Sequence, residues 1–299
     1  MGKMLNRLRL GVDAVLGLLI ALLAVLLVFS VVREKGIREE PFIRTAFLNP
    51  SKNAAPKEII LRSNEGEGIH LTYSYDVWIG ECNGFVFPVE QKQVEKLVET
   101  LKSVRKMYKK IDEVDKKIAH IDSFLPLFFL SYTLSDGTTG ALHFYQQDFS
   151  KTMRFVSVND DEAVYATLDD MGAFLHAEAR FWYDPFIAPH ALRSDSALLT
   201  RAVLAEGGQR FFLSDDVHGA IRLQKLSELR HGSLVSVPGQ AAQESPRLTL
   251  AYEDGFSYSV LIHLLDDGDA VFVYDAGEPW NFAVSVSAWT YRSFRSLFD

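Results

Sequence analysis

Leu130-Ser-Tyr-Thr-Leu-Ser-Asp-Gly-Thr-Thr-Gly-Ala-Leu-His-Phe-Tyr145 is the stretch on which the fold turns. Two β-rich runs flank Ser135-Asp-Gly-Thr-Thr-Gly140, which reads either as a phosphate-holding glycine loop or as the turn of a hairpin. A phosphate loop ends in Lys-Ser/Thr and opens directly into a helix whose N–H groups face the phosphates. Here Ala141-Leu-His-Phe-Tyr145 continues in strand-like residues. Asp-Gly between alternating strands is hairpin chemistry, so no phosphate site is expected.

Leu248-Thr-Leu-Ala-Tyr-Glu-Asp-Gly-Phe-Ser-Tyr-Ser-Val-Leu-Ile-His-Leu264 echoes that stretch. Asp136-Gly137 aligns with Asp254-Gly255, and Phe155-Val156 with Val273-Tyr274 at the same offset. Ala163-Val164 and Phe174 then align with Ala283-Val284 and Phe294, after a two-residue insertion near Pro279. Order and spacing, rather than identities, predict a duplicated module: residues 58–180, then a junction and second copy over 181–299. The predicted class is α+β, an antiparallel sheet with helices packed on one face, used twice.

Working outward, Glu58–Arg62 and Ile69–Ser74 read as a hairpin, Tyr75–Ile79 as its continuation, and Asn83-Gly84 as a further turn. After Pro88 the period changes to helical: Val94, Leu97, Val98, Leu101 and Val104 share one face, predicting a helix from about residue 89 to at least 111. Lys92, Lys96, Lys102, Lys106, Lys109 and Lys110 lie opposite, a stripe suited to anionic lipid or a partner, or simply to solvent. Met153–Val158 and Ala163–Ala166 read as strands, Leu168–Arg180 as a helix. The second half offers a hairpin around Gly207-Gly208, a poorer helix over Ala220–Arg230, and a terminal helix through Tyr291, Phe294 and Leu297.

Ahead of all this, residues 14–32 are charge-free and mostly apolar. As a helix they reach about 28 Å, close to the thickness of a hydrocarbon core. Lys3, Arg7 and Arg9 precede them, so the expected layout is a cytoplasmic tail over 1–13, a single membrane-spanning anchor over 14–32, and a proline-punctuated tether over 33–57. A cleaved signal peptide is the competing reading, although its apolar region is usually shorter.

The chain has 299 residues, a net charge of -8 and one cysteine, Cys82. The charge argues against nucleic-acid binding, and the lone cysteine removes disulfides and multi-cysteine metal sites. Eight scattered histidines show no metalloprotease spacing, Asp266-Asp-Gly-Asp269 lacks the spaced ligands of a calcium loop, and there is no Gly-x-Ser-x-Gly elbow. No catalytic residue, metal or cofactor is therefore assigned. The distinctive piece is Phe181-Trp-Tyr-Asp-Pro-Phe186 at the junction of the copies, where aromatics either seal one repeat on the next or line a ligand cleft. Phe181, Trp182 and Tyr183 are the candidate binding residues, with Trp280 and Trp289 at the analogous place in the second copy.

The apolar anchor, the first hairpin, Trp78, the Val94–Val104 helix and Phe124-Leu-Pro126 before the Asp-Gly hairpin resemble a bacterial family known as domain of unknown function 4340. Met153-Arg-Phe-Val and Ala163-Val-Tyr-Ala fit the same pattern, over most of residues 58–180 and more loosely over 198–299. The resemblance implies a single-pass protein of the bacterial cytoplasmic membrane with most of its chain extracytoplasmic. It implies partners such as an ABC-2-type permease or gliding-type auxiliary protein, and carries over no catalytic residues. The expected function is a non-enzymatic accessory subunit of an ABC-type transport or envelope complex. The alternatives are a ligand- or envelope-polymer-binding module at the aromatic junction and an envelope hydrolase.

Overall fold

The computed structural model describes residue 23 and residues 42–48, 54–109, 125–147, 151–159, 163–189, 192, 198–214, 217–236 and 245–299. Arg44–Asp299 forms one compact unit; Met1–Ile43 forms another, of which residues 23, 42 and 43 are described.

The first half supplies β1 (Phe42–Thr45), β2 (Pro56–Ser63), β3 (Gly68–Ser74), β4 (Val77–Cys82), β5 (Phe85–Pro88), α1 (Gln91–Lys102), β6 (Arg105–Lys109), β7 (Phe128–Leu134), β8 (Thr139–Gln147), β9 (Met153–Val158) and β10 (Tyr165–Leu168). The second supplies β11 (Leu199–Glu206), β12 (Gln209–Ser214), α2 (Val217–Glu228), β13 (Leu234–Val235), β14 (Arg247–Tyr252), β15 (Ser257–Leu264), β16 (Ala270–Asp275), β17 (Ala283–Val286) and α3 (Ala288–Arg295). A ten-stranded sheet runs β1-β6-β10-β9-β8-β7-β2-β3-β4-β5, and a seven-stranded sheet runs β12-β11-β14-β15-β16-β17-β13. Read from β13 to β12, the second sheet follows the order of the first from β6 to β3. Beyond that shared order the first sheet has β1 at one end and the hairpin β4–β5 at the other.

Alternation explains these strands. In β15, Tyr258, Val260 and Ile262 are buried while Ser257, Ser259 and Leu261 point the other way. In β2, Ile59 and Leu61 are fully buried between outward Glu58, Ile60 and Arg62. Each such aliphatic contributes about 1.5–3 kcal/mol by leaving water. The inward faces of both sheets join α1, α2 and α3 in one continuous core running from Ile59 and Val94 through Trp182 to Leu223 and Phe294.

The expected architecture is corrected. The chain is predominantly antiparallel strand in two sheets, and among the described residues no helix is long and apolar enough to cross a membrane. The run 14–32 and the tail 1–13 lie, residue 23 apart, outside the described residues. Within the stretch read as a tether, Phe42–Thr45 is a strand and Phe47 and Leu48 are buried.

Two helices also differ from the reading of the sequence. α1 buries Val94, Leu97 and Leu101 but stops at Lys102, leaving Val104 72% exposed. The stop is made by Arg105, whose guanidinium donates to the Thr100 carbonyl and the Ser103 hydroxyl while pairing with Asp170 at 2.6 Å. In place of a helix over Leu168–Arg180 there are a short turn at Gly172–Phe174 and one helical turn at Ala179–Trp182. Asp169 and Asp170 at its start are held by Arg154 and Arg105, at 2.7 and 2.6 Å.

Candidate functional site

The junction segment is threaded between the halves and bonded on both sides. Glu90 donates its N–H to the Trp182 carbonyl and Asp184 donates to that of Pro88, both at 2.9 Å. The Gln93 side chain donates to the Phe181 carbonyl at 2.6 Å. Toward the second sheet, Ile187 donates to the Leu229 carbonyl at 2.8 Å and His231 to that of Pro185 at 2.9 Å. Tyrosine hydroxyls pin the continuation: Tyr274 donates to the Ile187 carbonyl at 2.7 Å and Tyr252 to that of Pro189 at 3.3 Å. Burial raises the pKa of both phenols, keeping them neutral donors. The hairpin β4–β5 adds a second weld, Val86 and Asn281 exchanging N–H···O bonds of 3.1 and 3.0 Å.

Within this joint the predicted residues separate. Trp182 is fully buried and its indole donates to the His176 carbonyl at 2.7 Å, so it belongs to the core. Phe181, half-buried, stacks on His176 at 4.0 Å. Tyr183 is half-buried and donates from its hydroxyl to the Gly232 carbonyl at 2.8 Å. Trp280 packs half-buried against the core in the loop before β17, whereas Trp289 stands 70% exposed on α3. The structure therefore brings Phe181, Trp182 and Tyr183 together as neighbours without making them a shared aromatic wall. Lys92, Lys96 and Lys102 are exposed on α1, interleaved with exposed Glu95 and Glu99, and Lys106 lies exposed on β6. That mixture of signs is a solvated helix face rather than a basic stripe.

A cleft of about 400 Å³ opens at the joint, lined by Glu67, Cys82, Asn83, Arg180, Tyr183 and Ser233 among others. Arg180 pairs with Glu178 there. Cys82, the end of β4, is half-buried, and burial pushes its thiol pKa up against a bond from the Ala179 N–H. A thiol held protonated is a poor nucleophile. The cleft offers a guanidinium, a phenol, an amide and carboxylates: groups that orient a polar ligand.

One constellation escaped the sequence. On the outward face of the first sheet, His70 Nε2 lies 2.6 Å from Glu58 Oε1, and its Nδ1 3.7 Å from Glu81 Oε2. Thr133 donates to the other Glu58 oxygen at 2.9 Å and, with His70, lowers the Glu58 pKa. Thr72 Oγ1 is 3.3 Å from the same Nε2, which gives the outline of a nucleophile–base–carboxylate triad. The outline fails chemically, because Nε2 donates to Glu58 and so has no lone pair to accept the threonine proton. Pairing of β2, β3, β4 and β7 brings Glu58, His70, Glu81 and Thr133 together, which no sequence motif marks.

No group of three or more His, Cys, Asp or Glu among the described residues is arranged to hold a metal ion. Comparison with protein-family models, with curated proteins and with solved structures finds no match to this chain.

Proposed function

We propose that this chain is a non-enzymatic accessory protein of a bacterial membrane, presenting its two-sheet unit to other components of a transport or envelope complex. The observation that carries this reading is the joint. A hairpin added to the first sheet and a junction bonded along both edges join two sheets and one core into one compact unit, and its open cleft is lined by orienting groups with the thiol neutral. Such a construction holds surfaces in fixed relation, which is what recognition requires. Attachment to the bilayer, with the folded unit extracytoplasmic, is supported by the charge-free run 14–32 and its preceding Lys3, Arg7 and Arg9. The resemblance of residues 58–180 to the domain of unknown function 4340 family supports an ABC-2-type permease or auxiliary protein as partner.

The test is purification of the full chain in mild detergent after light cross-linking. Stoichiometric recovery with a membrane-embedded protein is expected; a solitary monomer contradicts the proposal. A second reading, a cleft for an envelope polymer, is favoured by the paired Arg180 and Glu178 beside Tyr183. Arg180→Ala and Tyr183→Phe should then each weaken binding to isolated envelope fractions, and binding unchanged in both variants removes that reading. Trp182→Ala is no test of it, since that side chain is core.

A further inference from the structure

Among the described residues, no strand pairs with the outer edge of the second sheet. β12 ends the strand order, and its six residues are largely exposed, with Phe212 at 55%. The two-residue loop Gly207-Gly208, with φ of 55° and 78°, makes Glu206 and Gln209 the closing pair of the β11–β12 hairpin. Gln209, Phe211 and Leu213 therefore direct their backbone groups to β11, while those of Arg210 and Phe212 face away from the sheet.

The side chains around this edge are basic. Arg201, Arg210 and Arg247 are all exposed, and none has an ion pair among the described residues. Arg210 and Arg247 both sit opposite Ala205, in one row across three strands, and the Arg201 guanidinium lies 5.5 Å from the Phe212 ring. In a chain of net charge -8, three unpaired arginines on one strip form a local reversal of sign.

The first sheet shows what fills such an edge. Leu61 pairs with Leu130 and Ile69, and Leu204 with Leu248 and Phe211; Leu130 and Leu248 each precede an Asp-Gly turn by six residues. On that register Phe212 stands where His70 stands, and Arg201 where Glu58 stands. In the first sheet β4 occupies the edge beyond β3 and sets Glu81 opposite His70. Among the described residues, the second sheet has the outward edge, and Arg201 beside Phe212, without the strand.

The geometry points to β12 as a docking edge for an extended segment of a partner polypeptide with acidic side chains at alternate positions. Its main chain pairs with Arg210 and Phe212, and one carboxylate takes the place of Glu81, reaching Arg201 and Arg210. A second copy of this chain is a poor occupant, because it would bring the same arginine strip against itself. The inference rests on the accessory reading in that it names the surface a partner would use.

The probe is a capped decapeptide alternating valine and glutamate, compared with one alternating valine and lysine, added to the full chain in detergent. Amide exchange at Arg210 and Phe212 should slow by about tenfold with the glutamate peptide alone. Arg201→Glu combined with Arg210→Glu, both on exposed side chains, should reverse the preference. Phe212→Pro, which removes an outward-facing N–H that an edge strand can spare, should abolish protection by either peptide. Absence of protection, equal protection by the lysine peptide, or protection that instead follows dimerisation of the chain overturns the proposal; Arg210 would then be a charge that keeps the edge unpaired. Cross-linked recovery of a membrane partner by both the wild-type chain and the doubly reversed variant would overturn this edge while leaving the accessory reading intact. Loss of the partner from the wild-type chain would overturn the accessory reading, with the peptide result still deciding the edge.

Discussion

Single side chains do much of the work of fixing this fold. Gln91, buried at the start of α1, accepts the Trp78 N–H at 2.7 Å and donates to the carbonyls of Trp78 and Val89 at 2.9 and 3.0 Å. It completes the edge of β4 where β5 ends, so Gln91→Leu strands buried backbone groups and should cost about 2–4 kcal/mol in denaturant unfolding. His231 makes contacts of 2.9 and 2.8 Å to the Asp184 and Gly232 carbonyls, and burial depresses its pKa. Between that depressed value and the unfolded value of about 6.5, the unfolded chain binds more protons. Stability is therefore full above about pH 6.5 and falls as the pH drops below it. Thermal melts of His231→Asn should show a shallower fall between about pH 7 and 5 than the wild-type chain. None of this was legible in the sequence, where Gln91 fell within the expected helix with no role of its own and His231 was one of eight scattered histidines; their partners Trp78 and Asp184 lie 13 and 47 residues away.

At the scale of elements, the sequence spoke clearly wherever local chemistry decided. Asp136 and Asp254 each accept, at 2.9 Å, the N–H two residues ahead, and Gly137 and Gly255 take φ of 85° and 84°. Asp267 does the same for Asp269 at 3.0 Å, so the acidic cluster there is a third such turn. Gly255→Ala should cost about 1 kcal/mol, a fall of about 2–4 °C in Tm for a unit of this size. Gly140 is different: it pairs with Tyr132, and a Cβ there would lie 2.3 Å from that ring. Gly140→Ala must displace a side chain whose hydroxyl donates to the Phe47 carbonyl at 3.1 Å, and should cost about 1–3 kcal/mol. The apolar face of α1 was equally plain through Leu101. Its end was not, because the capping Arg105 is held by Asp170, 65 residues on. The false helix over Leu168–Arg180 has the same cause, local periodicity overruled by distant ion pairs.

In the whole molecule, two sheets with a shared strand order are welded through 181–187 and through β4–β5, and Trp182 sits in the core common to both. Calorimetry should accordingly show one transition for Arg44–Asp299. Trp182→Ala should lower the stability of both halves together by about 3–5 kcal/mol, rather than releasing one of them. The strand order was partly foreshadowed by the two Asp-Gly hairpins. The weld was not, since Val86 and Asn281 meet only when β4–β5 is inserted. The cleft and the basic edge of β12 depend on that assembly for their shape and setting. Cross-linked purification of the full chain in mild detergent, with identification of what co-elutes, tests the functional account most directly. It predicts a membrane-embedded partner in stoichiometric amount; a homogeneous monomer with nothing bound would contradict it.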